Sequence, residues 1–120
     1  VVFLTISRIN GCSYCMAAHS MIADKKSGVP SDSLAALREG RALPDAKLEA
    51  VARFTAAMVE TRGNPGKAAV DAFLAAGYTS RHALAVVLAI ACKTFSNMTN
   101  HLAGTAVDAP FQPYAVTEDA

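Results

Sequence analysis

Cys12-Ser13-Tyr14-Cys15-Met16-Ala17-Ala18-His19 is the segment of this 120-residue chain whose residue types and spacing together imply reactivity. Successive residues of a helix rotate by about 100°, so steps of three and seven from Cys12 bring Cys15 and His19 back to within about 60° of it. The three side chains then share a face. Two thiols three residues apart at a helix start can close a small disulfide, and the unpaired N–H groups of the first turn favour a thiolate over a thiol. His19 follows Cys15 by one turn, within reach to accept its proton directly or through one water, which is the nucleophile-and-base pairing of covalent catalysis. In that arrangement Cys15 attacks and Cys12 resolves. Two plainer readings stand beside it. A Cys-x-x-Cys can be half of a zinc site, although no second such pair or closely spaced histidine pair completes four ligands here, and two buried thiols can be inert packing beside a chance histidine.

The flanking pattern must place this segment at a helix start. Val2, Phe3, Ile6 and Ile9 recur at helical spacing, and Asn10-Gly11 suits a left-handed helix stop, so one helix ends near Gly11 and Cys12 stands at the mouth of the next. That second helix should run from Ser13 to about Lys26, where Gly28 and Pro30 break it. Ser31 to Glu39 predicts a short helix capped by Ser31 or Asp32 and ended by Gly40. Pro44 suits the first turn of a fourth, with Leu48, Val51, Ala52, Thr55, Met58 and Val59 as its buried stripe. After the Gly63-Asn64-Pro65-Gly66 breaker, Lys67 to Ala76 should turn Val70, Phe73 and Leu74 inward. Thr79 or Ser80 then caps a long helix to about Leu102, closed by Gly104, and the Pro110/Pro113 segment is a tail lying over a neighbouring surface or fraying.

Composition agrees with helices. Hydrophobic residues make up 52% but aromatics only 7%, and the difference is largely alanine, which favours close helix packing over a sheet. The fold class expected is all-α, a single domain over residues 1–120 with about six helices, the cysteine-bearing helix packed on the long C-terminal helix and the N-terminal one. Charge is +1 from scattered residues, so neither nucleic acid nor a membrane surface is an expected partner. The charge-free run Ala83 to Cys92 is about half of the roughly 20 residues a spanning helix needs, and reads as a core or interface helix. No signal peptide is visible, which points to a cytoplasmic address, and the opening valine in an apolar run suggests a natural N-terminus upstream of Val1.

The run Phe3-Leu4-Thr5-Ile6-Ser7-Arg8-Ile9-Asn10-Gly11-Cys12-Ser13-Tyr14-Cys15 with His19 resembles the core signature of AhpD-like alkylhydroperoxidases, within the carboxymuconolactone decarboxylase superfamily. The likeness continues along the Ala-rich helix to Asn97-Met98-Thr99-Asn100-His101-Leu102-Ala103-Gly104-Thr105. The resemblance implies that Cys12 and Cys15 cycle between dithiol and disulfide and that His19 belongs to a proton relay. The relay's glutamate would fall immediately before Val1, and some members carry a histidine between the cysteines where this chain has Tyr14. It further implies a homo-oligomer, a trimer or hexamer.

The expected activity is therefore that of a peroxiredoxin-type oxidoreductase. Cys15 takes oxygen from a hydroperoxide, Cys12 condenses the sulfenic acid into a disulfide, and a thiol-exchange reductant, either a protein or a dithiol cofactor, restores the pair. No bound cofactor and no metal are expected, since no nucleotide, flavin or haem motif is present. The alternatives are a decarboxylase-type lyase of the same superfamily, against which the cysteine pair argues, and a non-enzymatic redox-sensing or interaction module. Tyr14 and His101 are candidates for the pocket lining, although a last-turn histidine also suits the helix dipole. His82 reads as a surface or capping residue, Cys92 as a core thiol, and Met16, Met21, Met58 and Met98 as core filler.

Overall fold

The local sequence at the first helix junction fixes where the two cysteines sit. Helix α1 (Val2–Ile9) closes through Gly11 at φ +69°, whose N–H donates to the Arg8 carbonyl at 3.1 Å, while the Cys12 N–H donates to the Ser7 carbonyl at 3.0 Å. This paired stop requires a left-handed residue, which glycine adopts without a Cβ penalty. Cys12, the next residue, is extended and caps helix α2 (Ser13–Lys25), its sulfur accepting from the Cys15 N–H at 3.3 Å. One glycine therefore ends α1 and delivers a thiol to the α2 N-terminus, as the sequence predicts.

The computed structural model describes residues 1–117, and among them the chain is all-helical with no strand. Helices α3 (Ser31–Glu39), α4 (Ala46–Glu60), α5 (Lys67–Ala75) and α6 (Ser80–Ala103) follow, then a 3-10 helix at Ala109–Tyr114. Two starts differ from expectation. Pro30 occupies the cap position of α3, with Asp32 accepting from the Ser33 N–H inside the first turn. Pro44 lies outside α4, which Asp45 caps by accepting from the N–H groups of Lys47 and Leu48 at 3.0 and 2.8 Å. A carboxylate satisfies first-turn donors, which proline cannot do. At α6, Thr79 and His82 cap each other reciprocally, giving His82 the capping role anticipated for it.

Helix α1 lies between α4 and α6, while α2 rests on α1, α3 and α6. One apolar cluster joins Leu4, Met16, Leu34, Leu37 and Leu43. A second joins Val51, Phe54, Phe73 and Val86, with the Phe54, Phe73 and Tyr78 rings stacked at 4.1 and 4.6 Å. Full burial of a side chain such as Phe73 contributes about 1.5–3 kcal/mol by transfer from water. Three expectations of burial fail. Leu74, Met98 and Cys92 are exposed, the last two because α6 turns a different stripe inward.

The tail lies over a neighbouring surface. Its 3-10 helix packs on α2, where Tyr14 Oη donates to Asp108 Oδ2 at 2.6 Å, Arg38 Nη1 donates to the Tyr114 carbonyl at 2.9 Å, and Tyr114 bonds to Asp24. The last three residues of the tail lie outside the described range.

Candidate redox site

Cys12 and Cys15 are both free thiols and both buried, at 1% and 2% exposure. Burial alone pushes each thiol up, since a thiolate loses its hydration. The two then diverge. At Cys12 burial is reinforced by the hydrogen bond its thiol shares with Cys15, so its pKa lies above the ordinary value. At Cys15 burial is outweighed by bonds from Cys12, Asn100 and Asn97 and by the charge of Lys93, which together hold it below the ordinary value. The Asn100 Nδ2 donor lies 3.3 Å from its sulfur. The Cys15 N–H donates to the Cys12 sulfur and by itself favours a thiolate there, but burial and the hydrogen bond shared with the Cys15 thiol outweigh it, so Cys15 is the lower of the pair and Cys12 the higher.

Helix α6 supplies this polarity. Asn97 is fully buried and accepts from Asn10 Nδ2 at 3.0 Å while its own Nδ2 bonds Ser7 Oγ at 3.3 Å. It thereby ties the C-terminal end of α1 to α6 beside the two sulfurs. No buried side-chain nitrogen or oxygen among the described residues lacks a partner. The polar seam is fully satisfied, the condition under which it rigidifies rather than destabilises.

His19 and Cys15 are held by different partners. His19 Nε2 lies 2.8 Å from Lys93 Nζ, and the two flank the Phe3 ring at 5.3 and 5.5 Å. An ammonium only donates, so the imidazole accepts at Nε2 and carries its proton at Nδ1. Burial first, and then the Lys93 charge, push the imidazole down to about 4, which leaves it neutral near pH 7. Lys93 is itself only 7% exposed, and it belongs to none of the exposed ion pairs found among the described residues. Burying an ammonium against a neutral partner costs stability, a cost that the surrounding polar contacts must offset.

Of the two pocket candidates, His101 reaches the cysteine turn, its Nε2 lying 3.1 Å from the Gly11 carbonyl. Tyr14 instead faces the tail, with its ring edge-on to Phe111 at 6.1 Å. Sequence reasoning missed Lys93, Asn97 and Asn100. Their signal was a 4–3 spacing in register with Val86 and Ile90. His19 also walls an open apolar groove of about 330 Å³ formed with Phe3, Ile22 and Val29, whereas the groove of about 670 Å³ between α4 and α5 contains neither cysteine nor histidine. No three His, Cys, Asp or Glu side chains converge as metal ligands among the described residues.

No protein-family model matches this chain, and no curated protein matches it.

Proposed function

We propose that the chain is a thiol-dependent peroxidase or disulfide reductase that reduces hydroperoxides through Cys12 and Cys15, assisted by His19. The observation that carries this reading is the convergence of donors and a buried cation on one sulfur of a closely spaced pair. A structural thiol needs no such stabilisation, and a reactive one does. The AhpD-like motif reading from the sequence leads to the same chemistry.

The Cys15 thiolate attacks the terminal oxygen of the hydroperoxide. The S–O bond forms as the O–O bond breaks, two electrons pass from sulfur to the leaving oxygen, and that oxygen takes a proton to leave as alcohol, or as water from hydrogen peroxide. Cys12 then attacks the sulfenic sulfur, forming the disulfide and releasing water that carries the Cys12 proton. An external dithiol returns two electrons and two protons by exchange. Lys93 stabilises the thiolate, and His19 assists by accepting the Lys93 hydrogen bond without adding a second charge.

The test is peroxide consumption with excess dithiothreitol or dihydrolipoamide. Cys15→Ser should lower the rate by about 10³-fold or more, and Cys12→Ser should leave a sulfenic acid on Cys15 that dimedone captures. Consumption by the wild type no faster than by the dithiol alone would sink the peroxidase reading. Stoichiometric oxidation without turnover would favour a redox-sensing module instead.

A further inference from the structure

Helix α6 carries a second stripe on the side away from the cysteines. Leu84, Leu88, Ala91, Phe95, Met98 and Leu102 follow one another at spacings of four and three, and all six are exposed, Phe95 at 76% and Leu102 at 92%. This is the a/d pattern of a helix–helix seam, centred about 160° around the helix from the buried Val86, Lys93 and Asn97. Of the exposed large apolar side chains in the described structure, most lie on this one helix.

We infer that this stripe is a two-fold interface at which α6 pairs antiparallel with α6 of a second copy of the chain. Self-pairing is favoured by size complementarity. With the two-fold axis beside residue 93, Leu84 of one copy meets Leu102 of the other, Leu88 meets Met98, and the small Ala91 meets the large Phe95. A parallel pair would set Phe95 on Phe95 and leave a gap at Ala91. The exposed area of these side chains with Val87 is on the order of 700 Å², close to the roughly 800 Å² each partner contributes to a standard interface. Arg81 and Lys93 are the formal charges of α6, and Lys93 faces inward, so the seam itself meets no like charge.

By length and composition α6 could also cross a membrane. Its inner face, however, holds Lys93, Asn97 and Asn100 in polar contacts with the other helices, so the helix is apolar on its outer side alone. A lipid surround asks for an apolar surface all round, whereas a helix seam asks for one apolar side with large residues at four–three spacing, which is what α6 presents. This interface is independent of the redox reading.

Sedimentation of the full chain, at tens of micromolar, tests the pairing. The wild type should run as a dimer or a larger even-numbered assembly, and Phe95→Glu or Leu88→Glu should halve its mass, with a dissociation constant raised about 100-fold or more and unchanged circular dichroism. Leu74→Glu, an apolar-to-acid change off the stripe, should leave the mass alone. In a Cys12→Ser/Cys15→Ser background, the exposed Cys92 flanks the seam one residue from the axis, so a short bis-maleimide should join two copies through it. A monomeric or odd-numbered wild type, a mass that survives both acidic variants, or a monomer that sediments with neutral phosphatidylcholine vesicles through this stripe would overturn the inference.

Discussion

The two faces of α6 invert the usual arrangement of a surface helix. The inner face turns Lys93, Asn97 and Asn100 toward the cysteines, while the outer face leaves Leu84, Leu88, Phe95, Met98 and Leu102 in water. Apolar burial is the dominant driving force of folding, so an isolated chain would gain by the opposite rotation. Two circumstances account for the observed one. The polar groups inside are matched by partners on α1 and α2, Ser7, Asn10, Cys15 and His19, which would be orphaned by a turn of the helix. The apolar groups outside are arranged at the spacing of a partner helix. On the proposed readings, the polarity inside serves the thiol chemistry and the apolarity outside serves pairing.

Breaking the inner face should cost most. Asn97→Leu removes the acceptor of Asn10 and the donor to Ser7 and the sulfurs, leaving buried polar groups unpaired at about 1–3 kcal/mol each, so a loss of about 3 kcal/mol is expected. Urea denaturation should show it at every protein concentration. A conservative change at exposed Met98, such as Met98→Gln, should move the midpoint only as far as association contributes. Equal losses from the two variants would dissolve the distinction between the faces.

That distinction was only half legible in the sequence. Gly11 is unambiguous because a left-handed stop has few solutions, and it fixed both the end of α1 and the place of Cys12. The helix spans follow from apolar period and caps. For α6, however, the chain offers two stripes of the same 4–3 period, and hydrophobicity alone ranks Leu84 to Leu102 as the inward one. Only the partners supplied by distant residues, such as Asn10 for Asn97 and His19 for Lys93, decide the rotation, and periodicity cannot see them. The same blindness hid the exposure of Cys92 and Met98. The tail was ambiguous because its anchors, Asp108 on Tyr14 and Tyr114 on Asp24, are single long-range contacts.

A smaller effect should appear in the pH dependence of stability. His19 is held down to about 4 in the folded chain against 6.5 when unfolded, so between these values the unfolded state binds more protons. Its contribution is fully present above about pH 6.5 and is lost as the pH falls toward 4. For a partly exposed ring this amounts to about 1–2 kcal/mol. His19→Gln keeps an acceptor for Lys93 but cannot titrate, so its unfolding free energy should fall less steeply across that window. An unaltered slope would remove His19 from the account of the inner face.

On the proposed reading Cys15, and not Cys12, is the thiolate, and Lys93 on the inner face helps to make it so. The most direct measurement of this is the pH profile of alkylation by iodoacetamide, resolved by peptide mass at each cysteine. Because the midpoint reports ionisation and the plateau reports access, burial of the sulfur does not obscure the answer. Cys15 should react with a midpoint below that of an ordinary thiol and Cys12 with one above it. Lys93→Met should move the Cys15 midpoint upward, slowing its reaction near pH 7 several-fold and leaving the alkaline plateau unchanged. A Cys15 midpoint at or above the ordinary value, or a Cys12 that ionises first, would contradict the account.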